Sequence, residues 1–150
     1  MIVVSACLVG EQCKYDGTDN KNIKVLEFLK DKEYITVCPE MMGGLPCPRI
    51  PSEIKGDRVI NKNGEDVTEE FCKGACRALE KAEEYGALTA ILKESSPSCG
   101  VNTIYNGEFS NTKVKGSGIT ASLFKEKGIK VMTEKDVYPA AGEGQKNSQN

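Results

Sequence analysis

Short apolar runs alternate with longer amphipathic stretches along the chain. Four runs are typical of buried strands, at residues 2–4, 34–37, 88–92 and 129–132. Between them, apolar residues recur at helical spacing, which predicts helices at 22–32, 69–85 and 119–127. This alternation predicts an α/β fold: a compact Rossmann-like parallel sheet flanked by helices, in a single domain.

Turn signals refine this prediction. Two Asn-Gly turns each stand between short apolar segments, so each predicts a small hairpin. Asn63-Gly64 would join strands at 59–60 and near Val67, and Asn106-Gly107 would join strands at 104–105 and 108–109. Thr68 is the predicted N-cap of the long helix. We assign residues 1–138 to the domain and predict that the small, polar residues 139–150 form a disordered tail.

Composition and charge exclude several classes of partner. The chain has 150 residues and a net charge of -2, which gives no electrostatic reason to expect a nucleic-acid polymer as partner. No apolar stretch approaches the roughly 20 residues needed to cross a bilayer. The N-terminus lacks the basic and apolar regions of a signal peptide. These features predict a cytoplasmic protein with no membrane partner.

Cysteine is the residue type that points to chemistry. The chain has seven cysteines and no histidine, and in a reducing cytoplasm this favours metal binding or catalysis over disulfides. Cys7, Cys38 and Cys99 each follow an apolar run, and Cys13 lies in the loop after the first of them. Because the carboxyl ends of parallel strands share one rim, we expect these thiols to meet there, as a metal or cluster site requires.

The pattern leaves several interpretations of the four thiols open. A structural zinc site would need four ligands from three strand ends, and an iron–sulfur cluster is also held by thiolates. Free cysteines are otherwise small buried apolar residues. Thiol catalysis is disfavoured because no histidine exists to activate a thiolate. Cys72 and Cys76 share one helix face and are predicted to be core or half-buried filler.

Two further groups lie beside the cysteines. Glu40, two residues after Cys38, is either a general base or a solvated loop residue. Three serines precede Cys99 and either position a polar substrate or make local turn hydrogen bonds; they are Ser95, Ser96 and Ser98.

Four sequence blocks match a known family in order and spacing. They cover residues 5–17, 38–49, 92–100 and 116–121, and contain the cysteines, the Cys38-Pro39-Glu40 step and the Ser96-Pro97-Ser98-Cys99 run. Over residues 1–135 the chain resembles the short thiouracil desulfurase (2-thiouracil desulfidase) family. Lys14 and Cys47 are mild departures, since the family usually has Arg and Thr there.

The resemblance implies an enzyme with a [4Fe-4S] cluster, held by Cys7, Cys38 and Cys99, that keeps one iron open. The thiocarbonyl sulfur of a small thiolated pyrimidine would bind that iron, and water would replace the sulfur without net electron transfer. Glu40 would help to deliver the water, and Ser96 would hold or protonate the substrate. Cys13 would be a further ligand, a sulfur acceptor or a structural thiol.

A non-enzymatic alternative stays open beside the enzyme. It is an iron–sulfur or zinc-binding module in which all four cysteines close the site. Loop residues expected to line the pocket are Tyr15, Asp16, Arg49 and Lys93.

Overall fold

A four-stranded parallel sheet forms the centre of the protein. The structure, a computed structural model, describes residues 1–137. The strands of the central sheet are β1 (Ile2–Ser5), β2 (Tyr34–Val37), β5 (Thr89–Leu92) and β8 (Lys130–Thr133). Their order is β2-β1-β5-β8, and every neighbouring pair is parallel. The predicted α/β fold is confirmed, while the predicted tail at 139–150 lies outside the described residues.

Side-chain alternation divides the core into two layers. Val3 and Val4 follow each other in β1, and both are fully buried, one in the core on each face of the sheet. The helices are α1 (Ile23–Leu29), α2 (Pro39–Met42), α3 (Thr68–Glu84) and α4 (Ile119–Glu126). The C-terminal half of α3 and helix α4 contribute to one of these core clusters, and α1 contributes to the other. Phe71, in the first half of α3, packs in a separate small cluster with Val59 and Val67. A sheet covered on both faces explains why its strands read as continuous apolar runs.

The helix boundaries differ slightly from those predicted. Asn22 is the N-cap of α1, and its side chain accepts a hydrogen bond from the Val25 N–H. Thr68 is the first residue of α3 rather than its N-cap, because its Oγ1 accepts a hydrogen bond from the Val59 N–H at 2.8 Å. None of the helices within residues 1–137 is both long and apolar enough to cross a membrane.

Two antiparallel hairpins lie outside the central sheet. β3 (Ser52–Lys55) pairs with β4 (Arg58–Asn61), and β6 (Thr103–Tyr105) pairs with β7 (Lys113–Lys115). The pairing predicted across Asn63-Gly64 is present as a short extension of β4: Ile60 forms an antiparallel bridge with Asp66, and the Val67 N–H donates to the Val59 carbonyl at 2.8 Å. The second hairpin prediction chose the wrong partner strand, because residues 108–109 belong to the loop before β7.

Helices α2 and α3 cross at a contact between two glycines. A Cβ at Gly43 would collide with the Glu70 carbonyl, and one at Gly74 would collide with the Pro39 carbonyl. Near this contact, the Arg77 guanidinium donates to the carbonyl of Met42 at 2.6 Å. The crossing therefore fixes the short helix that follows Cys38.

The strand order creates a crevice above the sheet. After β1 the chain proceeds to β2 on one side, and it later returns to β5 on the other side of β1. Ligands of open α/β sheets bind at such a switch point, outside the carboxyl ends of the strands.

Candidate metal centre and active site

Three strand ends deliver cysteines to this crevice. Cys7 lies in a 3-10 turn directly after β1, Cys38 directly after β2, and Cys99 at the end of the loop that follows β5. Together with Cys13 they line one cavity of about 510 Å³. As predicted, the four thiols lie together at the rim of the sheet.

Burial raises the pKa of two of these thiols. Cys99 is almost fully buried, and burial raises its pKa to about 12, against hydrogen bonds from Ser5 and Ser98 that lower it. Burial also raises the pKa of Cys7, although Asn20 Nδ2 donates to its Sγ at 3.4 Å. Buried thiols of this kind ionise readily only when a cation takes up the charge, and a coordinated metal does so.

Cys13 and Cys38 form a hydrogen-bonded pair. Cys38 Sγ donates to the Cys13 carbonyl oxygen at 3.8 Å. The adjacent Cys13 side chain lowers the pKa of Cys38, with help from the Met41 N–H and the Arg49 charge. The same interaction between the two side chains, together with burial, raises the pKa of Cys13. Cys38 is thus the thiol of this pair that is prepared to be a thiolate.

The four thiols fit an iron–sulfur cluster by their chemistry. Soft thiolates are the ligands that such clusters take, and Arg49 and Lys93 place positive charge beside Cys38 and Cys7.

Glu40 lies beside the thiols, in a buried ion pair. It is in the first turn of α2, and its Oε1 accepts a hydrogen bond from Arg49 Nε at 2.8 Å. The two side chains are 14% and 6% exposed. Arg49 is itself held by the Cys13 carbonyl at 2.8 Å. Glu40 is therefore a fixed carboxylate rather than a solvated loop residue.

The serines form a short chain of hydroxyls that leads to Glu40. Ser98 Oγ donates to Glu40 Oε2 at 3.4 Å and contacts Ser96 Oγ at 3.2 Å. Ser96 Oγ also accepts the backbone N–H groups of Ser98 and Cys99, each at 3.1 Å. The turn interpretation of Ser96 is thus confirmed. Ser96 also lines the cavity, and its role toward a substrate stays a prediction.

Glu94 is a site residue that the sequence did not reveal. It is 5% exposed, and its Oε1 accepts backbone N–H groups from Ser95, Val101, Asn102 and Thr103 at 2.8–3.1 Å. The loop that carries the serines and Cys99 closes around this carboxylate. A lone glutamate after a buried apolar run is a weak signal, because its partners are backbone groups whose directions depend on the loop.

The remaining cysteines lie apart from this site. Cys72 and Cys76 are exposed on α3, so the prediction that they are core or half-buried filler is wrong. Cys47 Sγ donates to the carbonyl of Gln12 at 3.3 Å and so supports the loop that carries Cys13. Of the four loop residues expected to line the pocket, three do so: Tyr15, Arg49 and Lys93. The fourth, Asp16, is exposed and accepts a hydrogen bond from the Thr18 N–H.

A thiol-lined crevice at the switch point of the sheet is typical of an α/β protein that binds a metal or an iron–sulfur cluster there. Comparison with known proteins identifies the family. The family model for 2-thiouracil desulfurase matches residues 2–136, so the chain belongs to the 2-thiouracil desulfurase family, as its sequence blocks predicted.

Two individual proteins show how close the similarity is. The chain is 42% identical over 147 residues to the uncharacterized protein YbbK of Bacillus subtilis (strain 168), an alignment that spans 91% of this chain and 97% of that protein. A solved structure, that of the [4Fe-4S]-dependent thiouracil desulfidase TudS (DUF523Vcz), superposes with a TM-score of 0.86 at 43% identity and covers 89% of this chain and 90% of that one.

Proposed function

We propose that this protein removes sulfur from a small thiolated pyrimidine, such as 2-thiouracil, at a [4Fe-4S] cluster held by Cys7, Cys38 and Cys99. The observation that carries the proposal is the meeting of these thiols, from three separate strand ends, in one cavity beside Glu40. The similarity to TudS supports both the cluster and the substrate class. When bound, the cluster supplies a Lewis acid that polarises the carbon–sulfur bond.

Glu40 is the group that receives a proton from water in this proposal. Arg49 occupies Oε1 and keeps the carboxylate in place, while Oε2 faces the cavity and Ser98. Water that loses one proton to Glu40 adds its oxygen to the ring carbon. The carbon–sulfur bond then breaks, the sulfur departs as hydrosulfide with the second proton of the water, and Glu40 releases its proton to solvent. Oxygen replaces sulfur at the same oxidation level, so the cleavage is of the hydrolase or lyase type and needs no electron donor.

Ser96 holds the substrate or moves a proton in the same proposal. Its hydroxyl oxygen already accepts two backbone N–H groups, so its own proton is free to be donated. With Ser98 donating to Glu40, Ser96 donates either to Ser98 Oγ or to a group in the cavity. The chain Ser96–Ser98–Glu40 thus connects the substrate pocket to the base.

The test of this function begins with cofactor content and turnover together. After anaerobic reconstitution we expect about four irons and four sulfides per chain, with broad visible absorbance typical of thiolate-bound clusters, and sulfide release from 2-thiouracil. Zinc alone, or a cluster without turnover of any thiolated pyrimidine, would contradict the proposal.

Glu40→Gln tests the assigned base directly. We expect this variant to retain its iron while sulfide release falls at least about 100-fold, the range for loss of general base catalysis. Glu84→Gln, an exposed change on α3, is the matched control and should leave the rate unchanged. Full activity of Glu40→Gln would remove Glu40 from the mechanism.

A closed four-cysteine module is the second candidate. The observation in its favour is that Cys13 lies against Cys38 and lines the same cavity. In that module all four thiols bind metal and no thiolated base is converted. Variants of Cys13 separate the two functions.

A further inference from the structure

The cavity extends from the thiols to an aromatic wall on the β6–β7 hairpin. Phe109 and Tyr105 line it there, away from the strand ends that carry the cysteines. Phe109 belongs to the loop 106–112, and its side chain is half-buried although the residues on either side are exposed. The loop therefore places one large aromatic residue at the cavity, where Asn111 of the same loop is also a lining residue.

The backbone of Phe109 adopts an unfavourable conformation. Its φ of 53° lies in the left-handed region, which a bulky side chain rarely occupies because of contact between Cβ and the backbone. Strain of this kind persists only where the surroundings enforce it, and such residues cluster at ligand-binding sites.

A buried carboxylate enforces this conformation. Glu53 of β3 is 8% exposed, and its Oε1 accepts the N–H groups of Gly107 at 2.9 Å and Phe109 at 3.1 Å. Gly107 allows the loop to approach β3, since a Cβ there would lie 2.7 Å from the Ile54 carbonyl oxygen. The N–H of Asn106 closes the loop by donating to the Thr112 carbonyl at 2.9 Å. The aromatic ring is thus held by a rigid loop.

We propose that Phe109 is a substrate-binding residue whose ring packs against the face of the substrate's heteroaromatic ring, and that Glu53 is the positioning residue that holds it there. This inference rests on the proposed function, which puts a flat pyrimidine in the cavity. Aromatic side chains stack on such rings whatever their exact substituents. A rigid ring also loses little conformational freedom on binding.

Phe109→Gly is the decisive variant, because it removes the ring and relieves the backbone strain together. We expect KM for 2-thiouracil to rise about tenfold, the fold-change typical of losing one aromatic stack, with kcat within twofold and iron content unchanged. The thermal midpoint should be equal to or above that of the wild type. A merely structural phenylalanine would give a lower midpoint and an unchanged KM, which would overturn the proposal.

Glu108→Ala is the matched control. Glu108 is on the outer side of the same loop, where its side chain is 61% exposed and pairs with Lys55, so its alanine variant should keep the wild-type KM. A tenfold rise in this variant would show that KM responds to any change in the loop and would overturn the assignment.

The role of Glu53 is tested by a double-mutant cycle. We expect Glu53→Gln to raise KM in the wild-type background and to have no further effect in Phe109→Gly, because Glu53 acts through Phe109. An equal effect of Glu53→Gln in both backgrounds would remove the positioning role.

Calorimetric binding of uracil, the sulfur-free analogue, separates this inference from the proposed function. About tenfold weaker binding to Phe109→Gly supports the aromatic wall even when the wild type releases no sulfide, a result that would contradict the function alone. Normal sulfide release with equal uracil binding by both proteins would overturn the inference alone. No uracil binding and no turnover by the wild type would overturn both.

Discussion

The four thiols around the cavity differ in chemical state although they line one space. Burial raises the pKa of Cys99 and Cys7, whereas the hydrogen bond with Cys13 lowers the pKa of Cys38. In the proposed site, Cys7, Cys38 and Cys99 are ligands and Cys13 supports Cys38.

Cys13 variants test that distinction. Serine keeps a hydroxyl that donates to Cys38, so Cys13→Ser should retain about the wild-type iron content, while Cys99→Ser should lose most of it. Cys13→Ala removes the donor and should reduce the rate of sulfide release more than the serine variant does. Iron and sulfide analysis after reconstitution decides the matter, and loss of iron from Cys13→Ser would establish the closed four-cysteine site.

Glu94 is expected to stabilise the protein in a pH-dependent manner. Burial by itself would raise its pKa, but four backbone N–H groups lower it below the ordinary value. A carboxyl whose folded-state pKa is depressed contributes fully above its unfolded-state pKa, and the contribution is lost as pH falls through the folded-state value. Glu94→Gln should cost about 2 kcal/mol at neutral pH.

The measurement is thermal unfolding of metal-free protein at neutral and acidic pH. The gap between the midpoints of the wild type and Glu94→Gln should shrink on acidification, because the protonated wild-type carboxyl resembles the amide. A gap that is the same at both pH values would show that the charge on Glu94 contributes nothing.

The sequence predicted which side chains line the cavity better than it predicted the residues that support them. Cys7, Cys38, Cys99 and Glu40 are recognisable because each follows an apolar run at a strand end. Glu94 was missed because its partners are backbone N–H groups of a loop, whose directions follow from the folded conformation and not from residue type.

At the scale of secondary-structure elements, the crossing of α2 and α3 positions Cys38 and Glu40. The helices touch through Gly43 and Gly74, neither of which has room for a Cβ. A methyl group at this contact must push α2 away from α3, and α2 begins directly after Cys38.

Gly74→Ala tests this mechanical link. Although alanine favours helix, we expect the variant to lose about 3 kcal/mol of stability from overpacking and to bind less iron. Denaturant unfolding and iron analysis measure the two effects. Lys73→Ala, an exposed neighbour on α3, is the control and should change neither quantity; a Gly74→Ala protein with wild-type stability would show that the crossing adjusts freely.

Elements of the central sheet were predicted to within one or two residues, whereas strands β3 and β7 of the hairpins were not. Buried parallel strands are continuous apolar runs that sequence reveals. β3 and β7 lack this signal: β3 reads Ser-Glu-Ile-Lys and β7 reads Lys-Val-Lys. Their pairing depends on partners such as Glu53 that only the folded structure brings into contact.

At the scale of the whole molecule, the core closes at Val137. This residue is 2% exposed and packs with Val4, Leu8 and Ile91. The domain therefore includes Val137, and the boundary at residue 138 stays a prediction.

Two changes test this boundary. Deletion of residues 139–150 should leave the thermal midpoint and the iron content unchanged, whereas Val137→Ala in the full chain should lower stability by about 2 kcal/mol through a core cavity. Thermal unfolding measures both. A deletion as destabilising as Val137→Ala would extend the domain beyond residue 138.

The strand order also bears on the order in which the protein folds and acquires its cluster. Closely spaced ligands such as the pairs in zinc fingers can capture metal from an unfolded chain, but Cys7, Cys38 and Cys99 become neighbours only after β1 has paired with both β2 and β5. These contacts are distant in sequence, and contacts of this kind form slowly. Loading of the proposed site therefore follows folding, and a mutation that slows central strand pairing should delay the uptake of iron even when every residue of the cavity is intact.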